Sequence, residues 1–228
     1  VRWWDASTGL GLTGALVDSW TARVGAEIVS NTGAARPSLN ATHASFNNLP
    51  VLNFGIAGTE LFSSPSALSA LMVAGQALSI YTVARRNTLD AGATADFWLS
   101  SGTLASTLTE LSLGTTDNGV ADVDRLEINA TIPGQGSDWG TNARVYSLTV
   151  SAGGAFNTWL NGVPSISVVS ALPTGTNYLL IGGGRRLSAT NTGFEWRGEI
   201  AEIVVYLATH APAQRVQIEN AMRAKYAV

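Results

Sequence analysis

The residue types that could do chemistry together are densest in Pro133 to Asn142, reading PGQGSDWGTN. Sugar recognition needs an aromatic face for the C–H side of the ring and polar groups for its hydroxyls. Gln135, Asp138, Trp139 and Asn142 supply both within one segment. The glycines and Pro133 read as a loop, so Trp139 either offers its ring to a ligand or folds back as an anchor. Ligand contact by Trp139, Asp138, Gln135 and Asn142 is the expectation taken forward. A second group of hard oxygen donors, Asp117, Asn118, Asp122 and Asp124, lies between Thr115 and Asp124. Loop carboxylates and amides of this kind hold calcium, although the order of an EF-hand loop is absent. A structural calcium there is the one cofactor considered, and otherwise none is expected.

Catalytic arrangements are harder to assemble. The chain has no cysteine, which excludes disulfides, Cys-rich zinc sites and thiol nucleophiles. His43 and His210 are its two histidines, and no G-x-S-x-G elbow accompanies them. Glu199 and Glu202 are three apart, which on a regular strand puts them on opposite faces and excludes a pair. Gly182-Gly183-Gly184 is followed by a polar Thr/Asn stretch rather than a helix, so no helix N-terminus meets a phosphate. No catalytic residue is expected, and the chain is expected not to be an enzyme.

Composition narrows the partners. At 228 residues with a net charge of −3 there is no basic field for nucleic acid or anionic lipid. Arg85-Arg86 and Arg185-Arg186 each follow an apolar strand and read as strand-end solvation. Charged residues are 13% and hydrophobic ones 46%, while 24 glycines are spread along the chain, a composition of tight turns rather than disorder. Pro65 to Ala84 carries no charge, but Ser66, Ser69, Gly75, Gln76, Ser79 and Thr82 interrupt it, so membrane insertion is not expected. No secretory signal is visible, and a chain beginning at Val1 suggests a processed or partial protein.

The elements that must position these groups are mostly strands. Glu199 to Leu207 is dense in β-branched and aromatic residues. Ala201, Ile203, Val205 and Leu207 point one way and Ile200, Val204 and Tyr206 the other, so this strand is covered on both faces and belongs in the middle of a sheet. Pro212 opens a helix whose apolar stripe is Ile218, Met222 and Tyr226. Ser64-Pro65-Ser66 caps a short helix ending at Gly75. Further strands are predicted at Leu78 to Arg85, Asp96 to Leu99, Leu108 to Leu113, Arg125 to Ile132, Arg144 to Val150, Ala155 to Leu160, Ser165 to Val169 and Tyr178 to Ile181. Asn161-Gly162 marks a hairpin between two of them. In Arg125 to Ile132, the residues Leu126, Ile128, Ala130 and Ile132 share one side. Trp20, Trp98 and Trp159 read as packing residues. Many strands, Gly-rich turns and no repeat describe an all-β, two-sheet antiparallel sandwich with a short C-terminal helix, as one domain over residues 1–228.

The end of the chain resembles the concanavalin A-like jelly-roll domains of the laminin-G-like group, in the form common to bacterial and phage proteins. Trp196, Gly198, Ile200, Ala201 and Glu202 match its F-x-G-x-I-A-E pattern, and Tyr206, Arg215, Ile218, Glu219, Lys225 and Tyr226 match its later positions. Trp4-Asp5, Val17 to Trp20, Arg36-Pro37 and Leu49 to Phe54 extend the likeness. Departures are Asn48 where Gly is usual, Gly55 where Asp is usual, and Ala211 where the helix cap is commonly Ser, a weaker cap by roughly 1 kcal/mol. The group includes glycosidases, whose E-x-D-x-x-E is approached by Asp122, Asp124 and Glu127, with Asp replacing the nucleophilic Glu. The resemblance implies a non-catalytic module binding a glycan or a cell-surface or virion protein, located extracellularly or on a virion surface, with homo-oligomerisation open. The alternatives are a structural virion protein, such as a capsid decoration, head fibre or tail component, and a glycoside hydrolase using Asp122 and Glu127.

Overall fold

The computed structural model describes residues 1–25, 27–31, 33, 36–55, 61–62, 76–87, 95–102, 110–117, 122–128, 131–171, 173, 178–183 and 196–228. In chain order the strands are β1 Arg2–Asp5, β2 Leu10–Thr13, β3 Leu16–Thr21, β4 Ile28–Ser30, β5 Ser38–His43, β6 Leu49–Phe54, β7 Leu61–Phe62, β8 Leu78–Arg86 and β9 Ala95–Gly102. They continue as β10 Glu110–Asp117, β11 Asp122–Ile128, β12 Thr131–Asp138, β13 Arg144–Val150, β14 Ala155–Leu160, β15 Val163–Val169, β16 Tyr178–Ile181 and β17 Gly198–Tyr206, and one helix follows, α1 Pro212–Tyr226. The helix expected over Ser64 to Gly75 lies outside the described residues.

Every ladder among these strands is antiparallel. One layer runs β15–β14–β13–β8–β17, and the far edge of β17 is shared by β6 along Gly198 to Ile200 and by β1 along Glu202 to Val205. The other layer runs β12–β11–β10–β9–β16–β7–β4–β3–β2. The short β5 pairs with both β3 and β6 and joins the layers at one side. β17 therefore lies inside its sheet, as its two apolar faces demand.

Two hydrophobic clusters explain those faces. Between the layers sit Trp4, Trp20, Trp98, Trp139, Tyr146, Trp196, Ile200, Ile203 and Val205 with their neighbours. Outside the first layer, Phe46, Val51, Tyr81, Val83, Val145, Val204, Met222 and Tyr226 form the second cluster, where α1 packs on β8 and β13. Ala211 offers no side-chain cap, and the first turn is held by its own N–H donating to Gln214 Oε1 at 3.0 Å. Gly198 has no freedom to be anything else, since a Cβ would stand 2.0 Å from the Arg85 carbonyl oxygen.

Three expectations are corrected by the strands. β17 is bulged: Ile200 pairs with Ala84 and Glu202 with Val83, so Ala201 is the extra residue. Ile200 then shares the inner face with Ile203 and Val205, while Ala201 joins Val204 outside, the reverse of simple alternation. The strand expected from Arg125 to Ile132 ends at Ile128, and Ile132, 47% exposed, belongs to the returning β12. Most of the segment read as a loop, Pro133 to Asp138, is that second strand.

Candidate functional site

Trp139 follows β12 immediately, and its ring is fully buried. It stacks on Tyr146 with centroids 5.8 Å apart and meets Trp196 edge-on at 5.8 Å, geometry in which each aromatic pair adds about 0.5–1.5 kcal/mol beyond area burial. The ring is an anchor of the core and presents no face to a ligand. Asp138 is exposed, and its Oδ1 accepts the Gly140 N–H at 2.9 Å, closing the turn that follows. Gln135 is exposed along β12, paired with Arg125 across the ladder. Of the four residues expected to touch a ligand, Asn142 lines a depression large enough for one.

That depression is a cleft of about 370 Å³ lined by Ser45, Asn142, Ala143, Arg144, Asn161, Ala227 and Val228. It gathers the turn after β5, the turn from Trp139 to Arg144, the β14–β15 hairpin and the end of α1. Arg144 is its one charged lining side chain. Arg144 Nε donates to the Trp139 carbonyl at 3.2 Å, and both Nη groups are without a hydrogen bond among the described residues. Asn161 sits in the left-handed region at φ 51, a conformation Asn tolerates, with Oδ1 accepting the Val145 N–H at 2.8 Å and its carbonyl accepting Arg223 Nη1 at 3.3 Å. The Asn161 Nδ2, the Asn142 amide, the Ser45 hydroxyl and the Arg144 fork are thus left for a ligand. Sequence reasoning saw Asn161 only as a hairpin residue and passed over Arg144 and Ser45, because the four are brought together from distant segments.

The end of α1 is fixed by a shared cation. Lys225 Nζ donates at 2.8 Å to Asp5 Oδ2 and at 2.8 Å to Glu202 Oε2, while Trp3 Nε1 donates to Glu202 Oε1 at 2.6 Å. Burial alone would raise the Asp5 carboxyl, but hydrogen bonds from Lys225 and Ser7 outweigh it and hold Asp5 below the ordinary value. Burial would likewise lower Lys225, and its bonds to the two carboxylates instead raise it. Asn47 Nδ2 donates to the Lys225 carbonyl at 3.1 Å, tying the turn after β5 to the same helix end. Toward the start of α1, Arg215 Nη1 donates to both Glu219 carboxylate oxygens at 2.6 Å and Ser147 donates to Glu219, while Asn48, in the turn after β5, takes a left-handed φ of 58.

The remaining candidates are placed as follows. Asp117 and Asp122 face each other in the β10–β11 ladder, and their side chains and the whole of Asn118 lie outside the described set. Asp124 is buried between the layers, accepting from Ser165 Oγ at 2.6 Å and Thr158 Oγ1 at 3.4 Å, and burial raises its carboxyl. Among the described residues no group of three His, Cys, Asp or Glu side chains is close enough to hold a metal. Glu127 pairs with Arg125 at 2.7 Å on the face opposite Asp124, so the glycosidase-like string is not gathered on one side. His210 Nδ1 meets the Tyr81 hydroxyl at 2.9 Å ahead of α1, and burial lowers its pKa. Trp98 is buried, and Trp159 is half-buried beneath the Arg215 guanidinium at 4.1 Å.

No family profile matches the chain, and no curated protein matches it. Solved structures do. Trypanosoma rangeli sialidase in complex with sialic acid matches at 14% identity and TM-score 0.68, over 99% of this chain and 33% of that one. The same sialidase with 2,3-difluorosialic acid as a covalent intermediate matches at 13% and 0.67 over the same shares. The Ruminococcus gnavus IT-sialidase CBM40 bound to alpha2,3 sialyllactose matches at 14% and 0.51, over 67% of this chain and 84% of that one. The chain spans about a third of the length of the sialidases. The expectation that the chain is not an enzyme is overturned, because these structures, which match nearly the whole chain, are of sialidases, and sialidases are glycoside hydrolases. At these identities the likeness is one of fold, a jelly-roll β-sandwich related to the concanavalin A-like architecture.

Proposed function

We propose that the chain is a glycan-recognition domain whose cleft between the Trp139 to Arg144 turn, Asn161 and the end of α1 takes a carboxylate-bearing sugar, with sialylated glycans as the class. The observation that carries this is the Arg144 fork, free of any carboxylate in the described residues and flanked by the Asn142 amide and the Asn161 Nδ2. A planar guanidinium binds a carboxylate through two parallel hydrogen bonds, and side-chain amides suit sugar hydroxyls. The fold neighbour described as bound to alpha2,3 sialyllactose supports the ligand class. Asn142 is a direct contact, whereas Gln135 and Asp138, exposed along β12, are not among the residues that line the cleft. Trp139 serves the site from behind, through its carbonyl. The laminin-G-like residues and the low charge favour a module of a bacterial or phage surface protein, outside the cell or on a virion.

A glycan array comparing the wild type with Arg144→Ala tests the reading. Binding to sialylated glycans, absent from their desialylated counterparts and lost in Arg144→Ala, is the expected outcome. Equal signal on both sets, or binding that survives the substitution, overturns it.

A further inference from the structure

The bulge in β17 has a consequence for the cleft. With Ala201 as the extra residue, Glu199 and Glu202 emerge on the same outer face, the one that regular alternation forbids them to share. Their contacts show it: Glu202 reaches Lys225 on α1, and Glu199 reaches His43 and Arg85. The Glu199 side chain is 6% exposed. Its Oε1 lies 3.6 Å from His43 Nε2 and its Oε2 3.8 Å from Arg85 Nη1, ion-pair separations rather than hydrogen bonds, and Oε2 accepts no hydrogen bond.

Each neighbour of Glu199 runs on to a different wall of the cleft. His43 Nδ1 accepts the Ser45 N–H at 3.2 Å, capping the 3-10 turn Ala44–Phe46, and Ser45 lines the cleft. His43 Nε2 also lies 3.5 Å from Arg85 Nη1, so the carboxylate, the imidazole and the guanidinium form one cluster behind the cleft. Arg85 Nε donates to the Thr141 carbonyl at 2.8 Å, and the next residue, Asn142, lines the opposite wall. One buried carboxylate therefore stands behind two walls that are remote in sequence.

We propose that Glu199 is the positioning residue of this cleft: its charge, through His43 and Arg85, holds the Ser45 turn and the Thr141-Asn142 turn at the spacing a ligand requires. As regards the ligand this rests on the glycan reading above, whereas the geometry stands without it. The test is hydrogen exchange on Glu199→Gln, which keeps the shape and removes the charge, together with its affinity for 3′-sialyllactose. Amide exchange is expected to accelerate about tenfold in both 43–48 and 139–144, with 145–150 and 202–206 unchanged, and affinity is expected to fall about tenfold. Unchanged exchange in either wall overturns the proposal. Should Glu199→Gln fail to fold, Arg85→Lys keeps the charge but loses the Nε donor, and faster exchange at 139–144 with 43–48 unchanged is then required; no change there also overturns it. Binding unaffected by Arg144→Ala would remove the glycan reading alone, since the exchange result still judges Glu199.

Discussion

The two faces of β17 are built by different physics from one short run of residues. Inward, Ile200, Ile203 and Val205 belong to the hydrophobic cluster between the layers, with Trp196 and Trp139 among its members. Outward, Val204 and Ala201 share their face with two carboxylates, each tied to something that must sit in one place: Glu202 to Lys225 and Trp3, Glu199 to His43 and Arg85. Apolar burial is non-directional and sets how strongly the layers adhere. Ion pairs and charge-assisted hydrogen bonds depend on geometry, and here they set where the helix end and the cleft walls stand. Adhesion and placement are thus divided between the faces of one strand.

Substitutions can break that division, starting with the largest effect. Trp139→Ala removes a fully buried ring from the inner cluster and should cost about 3–5 kcal/mol in urea denaturation. A loss under about 1 kcal/mol would show that the inner face does not carry the adhesion. Lys225→Met leaves Asp5 and Glu202 without their shared cation. Breaking a fully buried pair costs about 3–5 kcal/mol, and because the lysine side chain is 37% exposed the expected loss is nearer about 2 kcal/mol.

The same clamp makes a pH prediction with a defined sign. Asp5 is lowered from 3.8, so its contribution is present above that unfolded value and is lost as pH falls through the lower folded one. Lys225 is raised from 10.5, so its contribution is present below that value and is lost as pH rises through the higher folded one. The stability difference between wild type and Lys225→Met should be level between these limits and shrink beyond each, measured as unfolding free energy across pH. A difference independent of pH at the acid end would contradict the Asp5 link. Ala211→Ser supplies the missing helix cap and should stabilise by roughly 0.5–1 kcal/mol in thermal denaturation, with no effect on binding. Arg144→Ala, outside both clusters, should change stability by less than about 0.5 kcal/mol.

Much of the fold was legible in the residues. Arg144 to Val150, Ala155 to Leu160 and Tyr178 to Ile181 are strands with the bounds expected, because apolar density and the Asn161-Gly162 turn leave few other readings. The bulge was not legible, since Ala201 is small and apolar and fits either face. β12 was hidden because it carries Pro, Gly, Ser and Asp in place of an apolar alternation. Its glycines serve close packing: a Cβ on Gly136 would stand 1.9 Å from Ser165 Oγ, and one on Gly134 2.4 Å from the Ile166 side chain. The burial of Trp139 depends on Tyr146 and Trp196 arriving from elsewhere in the chain, which no local pattern announces. Asn142 alone of the cleft was found in advance, because the site is a composite of segments that only the folded chain assembles.

The central claim, that this composite cleft reads a sugar carboxylate, is tested most directly by following the backbone amide resonances of the wild type during titration with 3′-sialyllactose and, separately, with lactose. Shifts confined to Ser45, Asn142, Arg144, Asn161 and their immediate neighbours, produced by the sialylated sugar and not by lactose, are the predicted result. Shifts clustered elsewhere on the sandwich, or the same response to both sugars, would contradict it.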